Sequence, residues 1–136
     1  MATTKVLDSW ALIAFFEDEP AANAMEEILH RAALDRNELL MSVINWGEVY
    51  YNTMRETSQS EAEARIQEIA SLPIEVVGIG DNLEMTRRAA IYKATYPISY
   101  ADAFAAALAK ERKAEFITGD PDFKRLEEEI KITWLK

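Results

Sequence analysis

Residues 5–16 read KVLDSWALIAFF. Lys5 to Leu7 form a short apolar strand, an acid stands at its exit, and the run Trp10 to Phe16 suggests a helix that Asp8 or Ser9 can cap. A strand entering a helix through a carboxylate is half of a βαβ unit, and the rest of the chain repeats that pattern. Leu39 to Val43 form a second apolar strand, followed by a helix that Ser42 or Asn45 caps and that runs to about Arg55. Ile74 to Val77 are a third strand, broken by Gly78 and Gly80. Phe116 to Thr118 are a fourth, ending at Gly119 and Asp120. Ile130 to Leu135, with Thr133 and Trp134, read as a closing strand.

Helical signals fill the intervals. Pro20 suits a first helical turn, and Ala24, Ile28, Ala32 and Leu34 give an apolar face up to about Asn37. Ser58 or Ser60 opens another helix, with Ala62, Ile66, Ile69 and Ala70 at helical spacing until Pro73 stops it. Asp81 caps the next, which ends before Pro97 because proline disfavours helical geometry at Tyr96. Ser99 starts an alanine-rich helix whose segment Ala101 to Ala109 should pack closely, and Pro121 begins a short last one. Alternating strands and helices predict an α/β fold: a three-layer α/β/α sandwich with right-handed crossovers and a mostly parallel sheet of about five strands. Residues 1–136 are expected to make a single domain. The functional crevice of such a sheet lies at the carboxyl ends of its strands, where Asp8 and Asp120 fall.

Composition narrows the chemistry. Apolar residues are 49% and charged residues 29% of the 136, ordinary for a globular domain and unlike a disordered or membrane chain. The longest apolar run, Trp10 to Phe16, is far below the roughly 20 residues of a membrane span. No basic region with a signal-type apolar run opens the chain, so a cytoplasmic protein is expected. Cysteine is absent, which excludes disulfides, thiolate metal sites and cysteine nucleophiles. The single histidine, His30, lies among charged residues of a helix and reads as a surface residue, so chemistry using two imidazoles is excluded. No G-x-S-x-G elbow, P-loop or G-x-G-x-x-G is present. A formal charge of −9 argues against a nucleic-acid partner bound through Lys and Arg. The basic residues Arg87, Arg88, Lys93, Lys110, Arg112, Lys113, Lys124 and Arg125 read as solvated faces or helix ends. That objection weakens if several acids converge and hold divalent cations that face a phosphate.

Four acids are placed to converge: Asp8, Glu48, Asp102 and Asp120. Each has an innocent alternative. Asp8 can cap the first helix, and Asp102 follows Ser99 at capping-box spacing. Asp120 can cap the helix opened by Pro121, with Asp122 in its first turn. Glu48 is a good helix former, although Trp46, Val49, Tyr50 and Tyr51 make an apolar setting for a surface glutamate. Taken together, two acids at strand ends and two in the opening turns of helices can share one crevice. Their hard oxygens suit Mg²⁺ or Mn²⁺. Without a cation, two unit charges about 4 Å apart repel by roughly 4 kcal/mol at an effective dielectric of about 20. Trp10, Trp46, Tyr50 and Tyr51 suit either base stacking or core packing.

The segments KVLDSWALIAFF, SVINWGEVYYNTMR, ISYADAFAAALAKER and FITGDPDFKRL resemble, in order and separation, the four signature blocks of PIN domains across nearly the whole chain. The SYADA and TGD-x-DF blocks are similar to the toxin half of VapBC toxin–antitoxin pairs. This resemblance implies a ribonuclease that hydrolyses RNA phosphodiesters with one or two Mg²⁺ or Mn²⁺ ions. It implies that Asp8 and Asp102 hold the metal chiefly and that Glu48 and Asp120 are direct or water-mediated ligands. Thr118 matches a hydroxyl that accompanies the fourth acid, and Asp122 has no settled role. The implied partners are RNA, an antitoxin protein and a second copy of the chain, with no membrane. Alternatives are a PIN-like RNA-processing nuclease without an antitoxin, a non-catalytic PIN-like binding module, and a receiver-like signalling module. The last needs an acidic pair after the first strand, where LDSW offers one acid, and an aspartate on a middle strand, where the third strand ends VVGIG. A phosphatase with a D-x-D pair is disfavoured by Trp10.

Overall fold

Strands β1 (Thr4–Leu7), β2 (Glu38–Ser42), β3 (Glu75–Val77), β4 (Glu115–Thr118) and β5 (Ile132–Trp134) form one sheet in the order β3-β2-β1-β4-β5. Every pairing is parallel. The structure is a computed structural model and describes residues 3–35 and 37–135. Among the described residues six α-helices connect the strands: α1 (Ser9–Phe16), α2 (Ala22–Asp35), α3 (Val43–Glu56), α4 (Gln59–Ser71), α5 (Leu83–Thr95) and α6 (Tyr100–Arg112). Residues Pro121–Glu128 form a 3₁₀ helix before β5.

The three layers follow from the two-residue period of the strands. Val6, Leu40 and Phe116 point to one face and join a core with Ala89 and Tyr92 of α5, the alanines of α6, and Phe123 and Leu126 of the 3₁₀ helix. Their chain neighbours Leu7, Leu39, Met41 and Ile117 point to the other, against Leu12 of α1, Met25 of α2, Val49 of α3 and Ile69 of α4. Central strands buried on both faces read as continuous apolar runs, as β1, β2 and β4 do here. Helix α6 is buried from Ala103 to Ala109. Its small side chains let it lie close against the sheet, and a helix apolar all round belongs in the interior.

The sheet and layers match the fold expected from the sequence, and the departures are local. Helix α2 begins at Ala22, because the chain first turns through Asp18 at φ 53° and Ala22 N donates to Glu19 O at 2.8 Å. Pro20 therefore lies in that turn. Val43 starts α3 and does not end β2, and Ser42, not Asn45, is its cap, accepting from Ile44 N at 3.2 Å. Asn82, not Asp81, caps α5 by accepting from Met85 N at 3.0 Å. Strand β5 is shorter than expected, since Ile130 N is committed to Leu126 O at 3.0 Å. His30 is exposed on α2, as expected. No helix of the described residues is long and apolar enough to cross a membrane.

The order β3-β2-β1-β4-β5 differs from the 2-1-3-4-5 order of receiver domains. Connections leave β1 towards β2 and β3 on one side, and β4 and β5 lie on the other. The reversal between β1 and β4 is the topological switch point, and open α/β sheets place their ligands outside the strand ends there.

Candidate functional site

Both strands at the switch point end in acids. Asp8 follows β1 and is only 1% exposed. One of its oxygens, Oδ1, accepts from Ala11 N at 2.9 Å and so caps α1. The other, Oδ2, accepts from the Thr118 hydroxyl at 2.6 Å. Thr118 is the last residue of β4 and wholly buried, and its Oγ1 in turn accepts from Asp120 N at 3.1 Å. Asp120 Oδ1 takes the amide of Asp122 at 2.9 Å and caps the 3₁₀ helix, with Pro121 at its first position. One chain of hydrogen bonds therefore joins the exits of the two central strands.

Glu48 arrives from α3, half-buried, and Asp102 from the first turn of α6. The Ser9 hydroxyl donates to Glu48 Oε1, and Asn45 Nδ2 approaches the same oxygen at 3.4 Å. Asn45 Nδ2 also lies 3.4 Å from Ala101 O, which ties α3 to α6. Asn45 is 0% exposed, and its buried Oδ1 has no hydrogen-bond partner among the described residues. Ser99 caps α6 by accepting from Asp102 N at 3.1 Å, the backbone half of the expected capping box.

Asp8 feels the charges of Asp102 and Asp120, and Asp102 those of Glu48 and Asp120. Burial pushes the Asp8 carboxyl from 3.8 to about 8, with the charges of Asp102 and Asp120 adding to the rise and the bonds from Thr118 and Ala11 opposing it. Asp102 rises to about 6, first by burial and then by the charges of Glu48 and Asp120, against hydrogen bonding with Ser99. Asp122 is exposed and stands outside this set.

The candidate donors are hard oxygens: the four carboxylates, the Thr118 hydroxyl and the Asn45 amide oxygen. That set and its charge fit a divalent cation such as Mg²⁺ or Mn²⁺. Among the described residues no three acids stand close enough to hold one ion together. The two observations are compatible, because Mg²⁺ retains several waters and is commonly held by only one or two carboxylates. A site in which one or two carboxylates bind directly and the rest act through water needs no tighter cluster.

Ser9 and Asn45 entered the sequence reading only as helix caps, and neither caps. Their signal was available in the spacing, since Asn45 precedes Glu48 by three residues on one helix face. Of the aromatic residues considered for stacking, Trp46 stacks on Tyr50 at 6.2 Å, and Tyr51 is covered by Arg55 at 5.1 Å. Trp10 leans on the β4 exit, where a Cβ on Gly119 would lie 2.2 Å from Trp10 Cη2. Among the basic residues, Arg87 pairs with Glu84, Lys93 donates to Ile98 O at 2.9 Å, and Lys110 donates to Glu129 O at 2.9 Å.

A family model of the PIN domain matches residues 5–129. No curated protein matches the chain. Among solved structures, VapBC2 from Rickettsia felis, bound to a DNA fragment from its promoter, aligns with a TM-score of 0.77 and 14% identity, covering 98% of this chain and 100% of that one. DNA-bound VapBC from Salmonella typhimurium aligns with a TM-score of 0.72 and 17% identity over 98% of each chain. VapC20 from Mycobacterium tuberculosis, a sarcin-ricin loop cleaving toxin, aligns with a TM-score of 0.68 and 15% identity over 90% of this chain and 94% of that one. At such identities the likeness is one of fold.

Proposed function

The chain belongs to the PIN domain family, and from that premise we propose that it is a Mg²⁺- or Mn²⁺-dependent endoribonuclease, the toxin of a VapBC-type toxin–antitoxin pair. The observation that carries the reading is the buried Asp8 carboxylate, bonded to Thr118 and electrostatically coupled to Asp102 and Asp120 at the switch point of the sheet. Such a cluster is unfavourable without a cation and favourable with one.

In this proposal Asp8 and Asp102 hold the metal, with Glu48 and Asp120 as direct or water-mediated ligands. The chemistry a divalent ion supplies in that donor set is a lowered water pKa and neutralisation of charge on the scissile phosphate. The chain's own groups prepare the site. Thr118 aims Asp8 Oδ2, Ser9 aims Glu48 Oε1, and Asp120 is tied to the same Thr118 hydroxyl through its amide. At neutral pH the Asp8 carboxyl keeps its proton in the metal-free protein, and cation binding releases that proton.

Membership of a VapBC-type pair rests on the structural neighbours, several of which are such pairs, and brings an antitoxin partner, a homodimer and a cytoplasmic setting into the proposal. Helix α3 leaves Val43, Ile44, Tyr51 and Met54 exposed, a surface that suits burial against another chain. A non-catalytic PIN-like module is the second reading, and it is favoured by the lack, among the described residues, of three acids close enough to hold one ion together.

Cleavage of single-stranded and structured RNA separates the two. Activity is expected with Mg²⁺ or Mn²⁺ and none in excess EDTA. Asp8→Asn and Asp102→Asn should each abolish it while far-UV circular dichroism stays unchanged. Cleavage in EDTA, or a fully active Asp102→Asn, would overturn the metal-nuclease reading. Light scattering tests the dimer, and copurification with the product of an adjacent gene tests the antitoxin.

A further inference from the structure

A cavity of about 300 Å³ opens beside the acids, lined by Gly119, Pro121, Lys124, Glu127 and Trp134. Its position is set by the sheet. Trp134 of β5 is the register partner of Thr118, and Leu135 N donates to Thr118 O at 2.8 Å. The backbone of Trp134 therefore runs one strand spacing, roughly 4.8 Å, from that of Thr118, the residue that holds Asp8. Gly119 and Pro121, which line the cavity, flank Asp120 in the chain.

The indole is held in place. Its Nε1–H donates to Glu127 Oε2 at 3.0 Å, and its ring packs on the core beneath the 3₁₀ helix while still lining the cavity. Lys124 brings a positive charge to the cavity, and among the described residues it has no ion-pair partner. An aromatic surface fixed at its edge, an open volume and an unpaired ammonium are the parts from which single-stranded nucleic-acid sites are made. A stacked base takes the ring face, and the ammonium takes the adjoining phosphate.

We propose that this cavity is a nucleobase subsite, in which Trp134 stacks a base of the RNA strand next to the scissile phosphate and Lys124 engages that nucleotide's phosphate. The inference rests on the ribonuclease reading for its ligand class, but its geometry involves none of the four acids. Glu127 keeps its second oxygen as an acceptor for an N–H on the base edge. The subsite would place the strand so that the phosphate at the switch point is presented to Asp8 and Asp102. It also answers the charge objection, since stacking and one lysine guide a polyanion that a net charge of −9 would repel.

The test titrates ¹⁵N-labelled protein in EDTA and low salt with adenosine monophosphate and with a short oligoadenylate, following the three tryptophan indole N–H signals, with Trp134→Phe assigning the signal of interest. The Trp134 signal should move and that of Trp46 should not. Trp134→Ala should weaken oligoadenylate binding about tenfold, and Trp134→Phe by only about threefold. Lys124→Glu, on an exposed position that does not threaten folding, should weaken it about fivefold or more, and Lys124→Ala should lower the salt slope by about 0.7. An unmoved Trp134 signal, or unchanged affinity in Lys124→Glu, overturns the subsite. Should RNA hydrolysis be absent while the Trp134 signal still responds, the nuclease reading falls and the subsite stands. Should hydrolysis proceed while neither Trp134 nor Lys124 affects binding, the subsite falls and the nuclease reading stands.

Discussion

Replacing Asp8 by Asn removes the buried charge with little change of shape, so it isolates what that charge does to the fold. An amide oxygen can still accept from Ala11 N, which preserves the cap on α1. In the metal-free protein, burial and then the charges of Asp102 and Asp120 hold the Asp8 carboxyl at about 8 against an ordinary 3.8. Because the folded value is the higher one, the folded state retains a proton that the unfolded chain has already lost. The charge therefore costs nothing below the unfolded value, destabilises progressively as pH climbs towards the folded value, and costs a constant amount above it. Each pH unit in that window is worth about 1.4 kcal/mol, so the wild-type penalty near pH 6 is about 3 kcal/mol. For a domain of this size that is a melting difference of about 10 °C. Thermal melts in EDTA across a pH series should show Asp8→Asn equal to wild type near pH 4, about 10 °C more stable near pH 6, and further ahead near pH 8. A gain that does not grow with pH, or a loss at every pH, would refute the reasoning and leave Asp8 as a helix cap alone.

The same proton governs metal affinity. Calorimetric titration with Mn²⁺ should show binding that strengthens by up to about tenfold per pH unit between about 6, the Asp102 value, and about 8, the Asp8 value, with one proton released, and that levels off above; a flat profile over that range would remove Asp8 from the metal site. Thr118→Val keeps the shape of the side chain but deprives Asp8 Oδ2 of its donor and Asp120 N of its acceptor. Urea unfolding should register a loss of about 1–3 kcal/mol, and a neutral result would mean that water replaces the hydroxyl. Gly119→Ala drives a methyl into the Trp10 ring, since the new Cβ lies 2.2 Å from Cη2. A loss of about 1–3 kcal/mol with altered near-UV dichroism is expected, whereas full stability would show that the indole swings aside freely.

Much of this was legible in the sequence because strand period and turn chemistry are local. Val6 and Leu7, or Phe116 and Ile117, are adjacent apolar residues that face opposite layers, so a continuous apolar run was already evidence for a sheet covered on both sides. Ser42, Ser58 and Ser99 are caps because a hydroxyl before a helical run accepts a free amide. Less legible was anything set by contact across the chain. Asn82 prevails over Asp81 as a cap, which depends on where the Gly80 turn at φ 55° releases the chain. The pairing of Thr118 with Asp8 joins residues 110 positions apart, and no local pattern encodes it. Trp134 read as a strand residue and nothing more, because its place beside Thr118 follows from the register of β5 on β4.

At the acids, capping a helix and binding a second partner do not exclude each other. A carboxylate has two oxygens with about four acceptor sites. Asp8 spends Oδ1 on Ala11 N and turns Oδ2 to Thr118 and the crevice, while Asp120 takes Asp122 N with Oδ1 and still acts on the charge states of Asp8 and Asp102. Capping also does part of the work of a metal site, since an acid whose rotamer is fixed by a helix amide is held for a second partner. A strand exit that becomes a helix start at the switch point therefore favours the same residue for both tasks. A capping bond at such an acid is therefore compatible with a functional role and prepares the side chain for it.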